Sequence, residues 1–193
     1  MAQKATKKQK TKKTEKKGKK TETPKKVEKK KKKEKAGGED KRLIVIRVRG
    51  TVNVRGEIND TLKMLRLHKP HHAIIVKNTP SIIGMIKKVK DYIAYGEIDE
   101  ETLEKLLNKR GRLSGNRRLT EEYLKQNTQF GSIKELTKAL MNFEIELKDL
   151  NEVKPVFRLR PPSKGYGGVK KPKTLGGALG HWIDINDLVK RMI

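Results

Sequence analysis

Apolar and polar positions follow a pattern that predicts three strands and two helices in the middle of the chain. Apolar runs rich in β-branched residues at 43–48, 72–78 and 92–98 are typical of strands. Between them, apolar residues recur every three or four positions over 54–67 and 79–90, which is the spacing of one helical face. The predicted order is therefore strand, helix, strand, helix, strand. The two helices must bury their stripes on one sheet face, so the other face is open or covered by another segment.

Further elements are predicted on the C-terminal side of this unit. Residues 99–150 contain helical patterns, and Ser132 with Glu135 has the spacing of a capping box. Phe157 and Leu159 indicate an added edge strand. A final helix is anchored by Trp182, Ile185, Leu188 and Val189.

Composition changes this picture at the N-terminus. The chain has 193 residues and a formal net charge of +26, and residues 1–42 alone contain 19 lysines, one arginine and six acidic residues. Such a segment cannot bury enough apolar surface to fold alone, so we expect it to be disordered or ordered by RNA. Four parts are predicted: the tail 1–41, the core 42–98, a helical extension 99–150, and a basic loop with the last helix 151–193.

Several functional classes are excluded by what the sequence lacks. There is no cysteine, and no apolar run has the length of a signal peptide core or a membrane span, so we expect a cytoplasmic protein. The glycine-rich stretches GYGG and GGALG do not match a phosphate-binding loop. His71 and His72 are adjacent on a strand and point to opposite faces, which disfavours a metal site. No paired acid and base stands out, so we expect no enzyme, no cofactor, no metal and no small-molecule substrate.

The basic residues of the folded part are concentrated in loops and at element ends. Arg47 and Arg49 are two apart and are predicted to share a strand face, and Arg55 follows near a helix start. Arginines recur in the glycine-containing loop 108–118 and in 158–173, where we expect a flexible segment that orders on RNA. A planar guanidinium suits phosphate, which indicates a polyanionic partner.

Folded RNA is the favoured polyanion. Aromatic residues make up only 4% of the chain, so binding by shape and backbone is predicted in preference to base stacking. The alternative is a nucleoid or chromatin protein that binds duplex DNA through its lysine tail. By charge alone an anionic membrane surface is the second candidate, but we expect no membrane partner. The residues predicted to contact RNA are Arg47, Arg49, Asn53, Arg55, Arg66, His68, Lys69, Arg110, Arg112, Arg117, Arg118, Arg158, Arg160, Lys164, Lys170, Lys171 and Lys173.

Two stretches resemble a known family. TLKMLRLHKPHHAI at 61–74 and TPSIIGMIKKVKDYI at 79–93 are similar to the signature of large-subunit ribosomal protein thirty. RVRGTVNVRGEINDTLKMLRLH at 47–68, FRLRPP and GGALG resemble its long archaeal form, which is related to eukaryotic large-subunit protein seven. The long lysine-rich tail resembles eukaryotic members.

This resemblance implies an α+β, ferredoxin-like fold with a three-stranded antiparallel sheet in the order 3-1-2 and two helices on one face. It also implies a structural constituent of the large ribosomal subunit. The partners implied are 23S-type rRNA near the 5S rRNA region and neighbouring large-subunit proteins. Neither catalysis nor a cofactor is implied.

Overall fold

The computed structural model describes residues 41–193, so the prediction for the lysine-rich tail lies almost entirely outside the described residues. A five-stranded mixed sheet crosses the fold in the order β4-β2-β1-β3-β5. Its strands are β1 (Arg42–Arg47), β2 (His72–Lys77), β3 (Ile93–Glu97), β4 (Val156–Arg158) and β5 (Gly180–His181).

The three central strands have the predicted arrangement, with β1 antiparallel to both β2 and β3. The predicted three-stranded sheet is nevertheless incomplete, because a strand is added at each edge. The first addition, β4, corresponds to the predicted edge strand and pairs antiparallel with β2. The second, β5, pairs parallel with β3. Its two residues are too few to produce an alternating pattern in the sequence.

Six α-helices accompany the sheet in the described part of the chain. They are α1 (Gly56–Met64), α2 (Pro80–Val89), α3 (Glu100–Arg110), α4 (Glu121–Asn127), α5 (Ile133–Met141) and α6 (Ile185–Met192). The predicted cap of α5 is present, with Ser132 accepting a hydrogen bond from the main-chain N–H of Glu135. Thr79 caps α2 in the same way by accepting from the main-chain N–H of Ile82.

Helix α1 is shorter than the predicted 54–67 because its end is a Schellman motif. The N–H of Leu67 donates to the carbonyl of Leu62, and the N–H of Arg66 donates to that of Lys63. Arg66 occupies the left-handed position with φ of 57°, where glycine is usual. Leu62 and Leu67 are both buried in the same core, so the motif also satisfies the usual apolar contact. An arginine at this position gives the sequence no stop signal.

Alternate residues of β1 face two different apolar cores. Leu43 and Val45 pack with α1 and α2 in one core. Ile44 and Ile46 join the other core with residues of α3, α5, α6 and β4. The second sheet face is therefore covered by the extension and the C-terminal segment. Residues 41–193 lie in one structural unit, in which the predicted core and extensions share apolar packing.

Gly96 in β3 is required by the close approach of the chain before α6. A Cβ at this position would lie 2.5 Å from the carbonyl oxygen of Trp182 and 3.1 Å from the side chain of Ile185. We expect Gly96→Ala to lower the free energy of unfolding by about 1–3 kcal/mol, measured by urea denaturation, because backbone must move.

Gly84 in α2 provides the control for this substitution. A Cβ there would meet nothing within 4 Å. Gly84→Ala should raise the free energy of unfolding by about 0.5–1 kcal/mol, since it removes the entropy cost of a helical glycine. An unchanged free energy of unfolding in Gly96→Ala would show that Trp182 and Ile185 do not pack closely against β3.

Candidate nucleic-acid interface

Main-chain hydrogen bonds bring three basic segments together at one end of the sheet. The N–H groups of Val48 and Arg49 donate to the carbonyl of Tyr92, at 2.9 and 3.1 Å. The N–H of His71 donates to the carbonyl of Arg47 at 2.7 Å, and the N–H of Leu159 donates to that of His71 at 3.0 Å. Segments 48–55, 66–71 and 158–164 therefore meet where β1 ends and β2 begins. We call these three segments the basic edge.

Loop 108–118, which overlaps the end of α3, meets the basic edge at the end of α6. The main-chain N–H of Arg160 donates to the carbonyl of Met192 at 3.0 Å, and Arg110 Nη2 donates to that of Ile193 at 2.6 Å. Burial lowers the pKa of Arg110, and the nearby charges of Arg160 and Arg112 lower it further. Loop 108–118 and segment 158–164 are thus neighbours around the end of α6.

Most of the predicted RNA-contacting residues have no acidic partner among the described residues. Within residues 41–193, the only one of them in an ion pair is Arg117, whose Nη2 lies 3.4 Å from Glu152 Oε2. At the other end of the sheet the cations are paired instead: Lys41 lies 3.2 Å from Glu97, and Lys77 lies 3.3 Å from Glu146. The charge of the basic edge is therefore left for an external anion.

Arg47 differs from the other predicted residues, because its side chain is only 1% exposed. The guanidinium donates to carbonyl oxygens of Arg49, Gly50, Leu67 and His68. Burial lowers its pKa. The prediction that Arg47 faces RNA beside Arg49 is therefore corrected: its donors are used inside the protein.

Loop 48–55 carries the cations next to this buried arginine. The Arg49 guanidinium lies 4.7 Å from the centre of the Tyr92 ring, and its Nη1 donates to the carbonyl of Asp91 at 3.3 Å. Asn53 has a φ of 54°, a left-handed conformation that asparagine adopts more readily than most residues, so it helps to shape this turn. Arg55 is exposed at the N-cap of α1, where no side chain caps the first N–H groups.

The turn between α1 and β2 adds further cations, and Arg66, His68 and Lys69 are all exposed. His72, at the start of β2, is partly buried with an unpartnered Nδ1. Burial lowers the pKa of His72, and the cations around it, Arg158 first, lower it further. Arg158 is exposed on β4 opposite His72 in the pairing of the two strands.

The loop between β4 and β5 makes contacts with the rest of the fold, and its ordering on RNA stays a prediction. The Tyr166 ring stacks on His71 at 5.7 Å between centroids, and its hydroxyl lies 2.7 Å from His71 Nδ1. Burial raises the pKa of Tyr166 and lowers that of His71. Lys173 Nζ lies 3.7 Å from the centre of the Trp182 ring. Sequence reasoning missed Tyr166 and His71 as a contact pair, since only the fold brings them together.

The remaining predicted residues lie on the surface of loops. Arg112 and Arg118 form an isolated β-bridge, with Arg112 partly buried and Arg118 exposed. The other exposed members are Arg160, Lys164, Lys170 and Lys171. All the predicted residues except Arg47 therefore keep some exposure.

Other kinds of site are not found in the part of the chain that is described. No group of three or more histidine and acidic side chains within residues 41–193 has the geometry to hold a metal ion. No helix in that range combines the length and apolar character needed to cross a membrane.

Comparisons with known proteins point to one family. The family model described as ribosomal protein L30p/L7e matches residues 43–93. The chain is 53% identical over 149 residues to large ribosomal subunit protein uL30 of Methanocorpusculum labreanum. This aligned region covers 77% of this chain and 97% of that protein.

The same coverage is found for two other archaeal relatives of that name. The protein of Methanococcus maripaludis is 54% identical over 152 residues, and that of Archaeoglobus fulgidus is 51% identical over 148 residues. All three relatives are named as proteins of the large ribosomal subunit, and the archaeal-type resemblance seen in the motifs is confirmed. The chain therefore belongs to the ribosomal protein L30p/L7e family.

Proposed function

We propose that this protein is a structural constituent of the large ribosomal subunit in the cytoplasm, and that its basic edge binds rRNA. The observation that carries the proposal is the set of cations at that edge without acidic partners among residues 41–193. Arg49, Arg55, Arg158 and Arg160 are its principal phosphate-contacting residues, and Arg112 extends it toward α6. Phosphate contacts would position the protein on the folded RNA without reading base sequence.

The partner is 23S-type rRNA, close to the 5S rRNA region, and neighbouring large-subunit proteins complete the site. These finer assignments rest on the family resemblance together with the charge of the surface. A folded RNA suits the interface better than a DNA groove. The cations are spread over several loops, and no helix of the described chain presents a row of them for insertion into a major groove.

Sedimentation of lysate from cells that produce the protein tests this function. We expect stoichiometric co-migration with the large subunit on a sucrose gradient, persistence at high salt, and loss after ribonuclease. Migration at the top of the gradient would contradict a ribosomal role. Competition between rRNA and duplex DNA separates the nucleoid alternative, because a duplex-binding polycation would prefer the DNA or show no preference.

A further inference from the structure

Arg47 is a buried cation that is solvated by the main chain. Its Nε donates to the carbonyl of Arg49 at 2.9 Å, and its Nη2 donates to that of Gly50 at 2.8 Å. Its Nη1 donates to the carbonyls of Leu67 and His68, at 2.7 and 3.3 Å. Within residues 41–193 no carboxylate lies in ion-pair distance of it. One guanidinium therefore binds four carbonyl oxygens, which form two pairs. One pair lies 2–3 residues after Arg47 and the other 20–21 residues after it, so the pairs are at least 17 residues apart in the sequence.

The two pairs of carbonyls belong to two different segments of the basic edge. Arg49 and Gly50 open the loop that carries Arg55. Leu67 and His68 follow α1 in the turn that carries Lys69. Arg47 thus joins two cation-bearing segments that otherwise have no regular secondary structure in common. Left to themselves, such loops would lose conformational entropy on ordering against RNA, and that loss would weaken binding.

We infer that Arg47 is a positioning residue, which fixes the spacing of the 48–55 and 66–71 segments before RNA binds and makes no phosphate contact itself. This inference rests on the proposed function of the basic edge. The planar fork is essential to it, since guanidinium has five N–H donors directed to different sides. A lysine would keep the charge but has three donors on one nitrogen, and it cannot hold both pairs of carbonyls.

A second buried arginine at the other end of the same strand provides a matched control. Arg42 is 3% exposed, its Nε donates to the carbonyl of Leu140 at 2.6 Å, and its Nη2 donates to that of Ile145 at 2.8 Å. Its guanidinium also lies 4.6 Å from the centre of the Phe143 ring. Arg42 therefore joins the end of α5 to the chain that follows, where cations are paired with acids, and it touches no segment of the basic edge.

The test compares Arg47→Lys with Arg42→Lys in the full chain. The probe is protein-free large-subunit rRNA, and its affinity is measured between about 50 and about 300 mM salt. We expect both variants to unfold at lower temperature than the unchanged protein. We expect only Arg47→Lys to bind rRNA about 10- to 100-fold more weakly, with an unchanged slope of log affinity against log salt. Because lysine keeps the charge, the unchanged slope would show that the geometry of the loops, and not a charge, has been lost.

Three results would overturn the inference. One is a loss of affinity smaller than about three-fold in Arg47→Lys, because a lysine that keeps the charge would then serve as well as the guanidinium fork. Another is an equal loss of affinity in Arg42→Lys, which would mean that both substitutions weaken rRNA binding only by lowering the stability of the fold. The third concerns the unchanged protein and needs no variant to fold. The N–H groups of Val48 and Arg49 should exchange slowly with solvent before RNA is added, and rapid exchange that slows only on binding would contradict preformed spacing.

Failure of the proposed function gives a different pattern from failure of the positioning role. If the unchanged protein does not prefer rRNA over duplex DNA, the function itself is wrong, whatever Arg47 does. If the unchanged protein binds rRNA tightly and Arg47→Lys binds as Arg42→Lys does, the function stands and the positioning role is wrong.

Discussion

A variant with Arg49, Arg55, Arg158 and Arg160 all changed to glutamine should bind large-subunit rRNA on the order of 10²–10³-fold more weakly at physiological salt. Each of these side chains has no acidic partner among residues 41–193, so each is available to a phosphate. Binding releases condensed counterions from the RNA, and the four lost contacts should reduce the slope of log affinity against log salt by about three to four. Filter binding across a salt series measures both quantities.

The control for this variant removes the same charge from another surface. Four exposed lysines on helices of the extension serve this purpose: Lys105, Lys125, Lys134 and Lys138. Changed together to glutamine, they should alter affinity by only a few-fold through the weaker long-range field, and the slope should be nearly unchanged. Equal losses in the two variants would mean that net charge, and not the basic edge, determines binding.

The core fold was predictable because its signals are local. Runs such as 43–48 can bury both faces only as a strand, and the stripes of α1 and α2 require a sheet face to cover them. The prediction left the second sheet face open or covered, and Ile44 and Ile46 show why it is covered here: both are fully buried against the extension. The parallel strand β5 has two residues and depends on Gly96 for its approach, so no local pattern could indicate it.

The candidate site was predicted less well, because burial of a charged side chain is decided by distant parts of the chain. Spacing alone gave Arg47 and Arg49 the same environment. In the fold, the carbonyls of Leu67 and His68 solvate Arg47, whereas Arg49 lies over Tyr92. The contact of His71 with Tyr166 likewise joins residues 95 positions apart, so no sequence window contains both. Loop cations were easier to predict, since short loops between packed elements must lie on the surface.

The largest stability effect is expected at Phe157 in β4. Its side chain is 1% exposed and packs in the same core as Ile44, Ala73 and residues of α3, and it is paired with Ala73 of β2. Phe157→Ala should lower the free energy of unfolding by about 3–5 kcal/mol, because it removes a large apolar side chain and leaves a cavity. The core around that cavity is shared by the sheet, the helical extension and the C-terminal segment. Urea denaturation followed by circular dichroism measures this loss.

Leu175 offers the comparison, since its side chain is 70% exposed in the loop between β4 and β5. Leu175→Ala should change the free energy of unfolding by no more than about 0.5 kcal/mol. A loss below about 1 kcal/mol in Phe157→Ala would show that the sheet does not depend on the extension. If the expected loss is found, β4 is held in place by the core under it. Arg158 and Arg160 then owe their positions on the basic edge to apolar packing on the second sheet face, and not to the RNA.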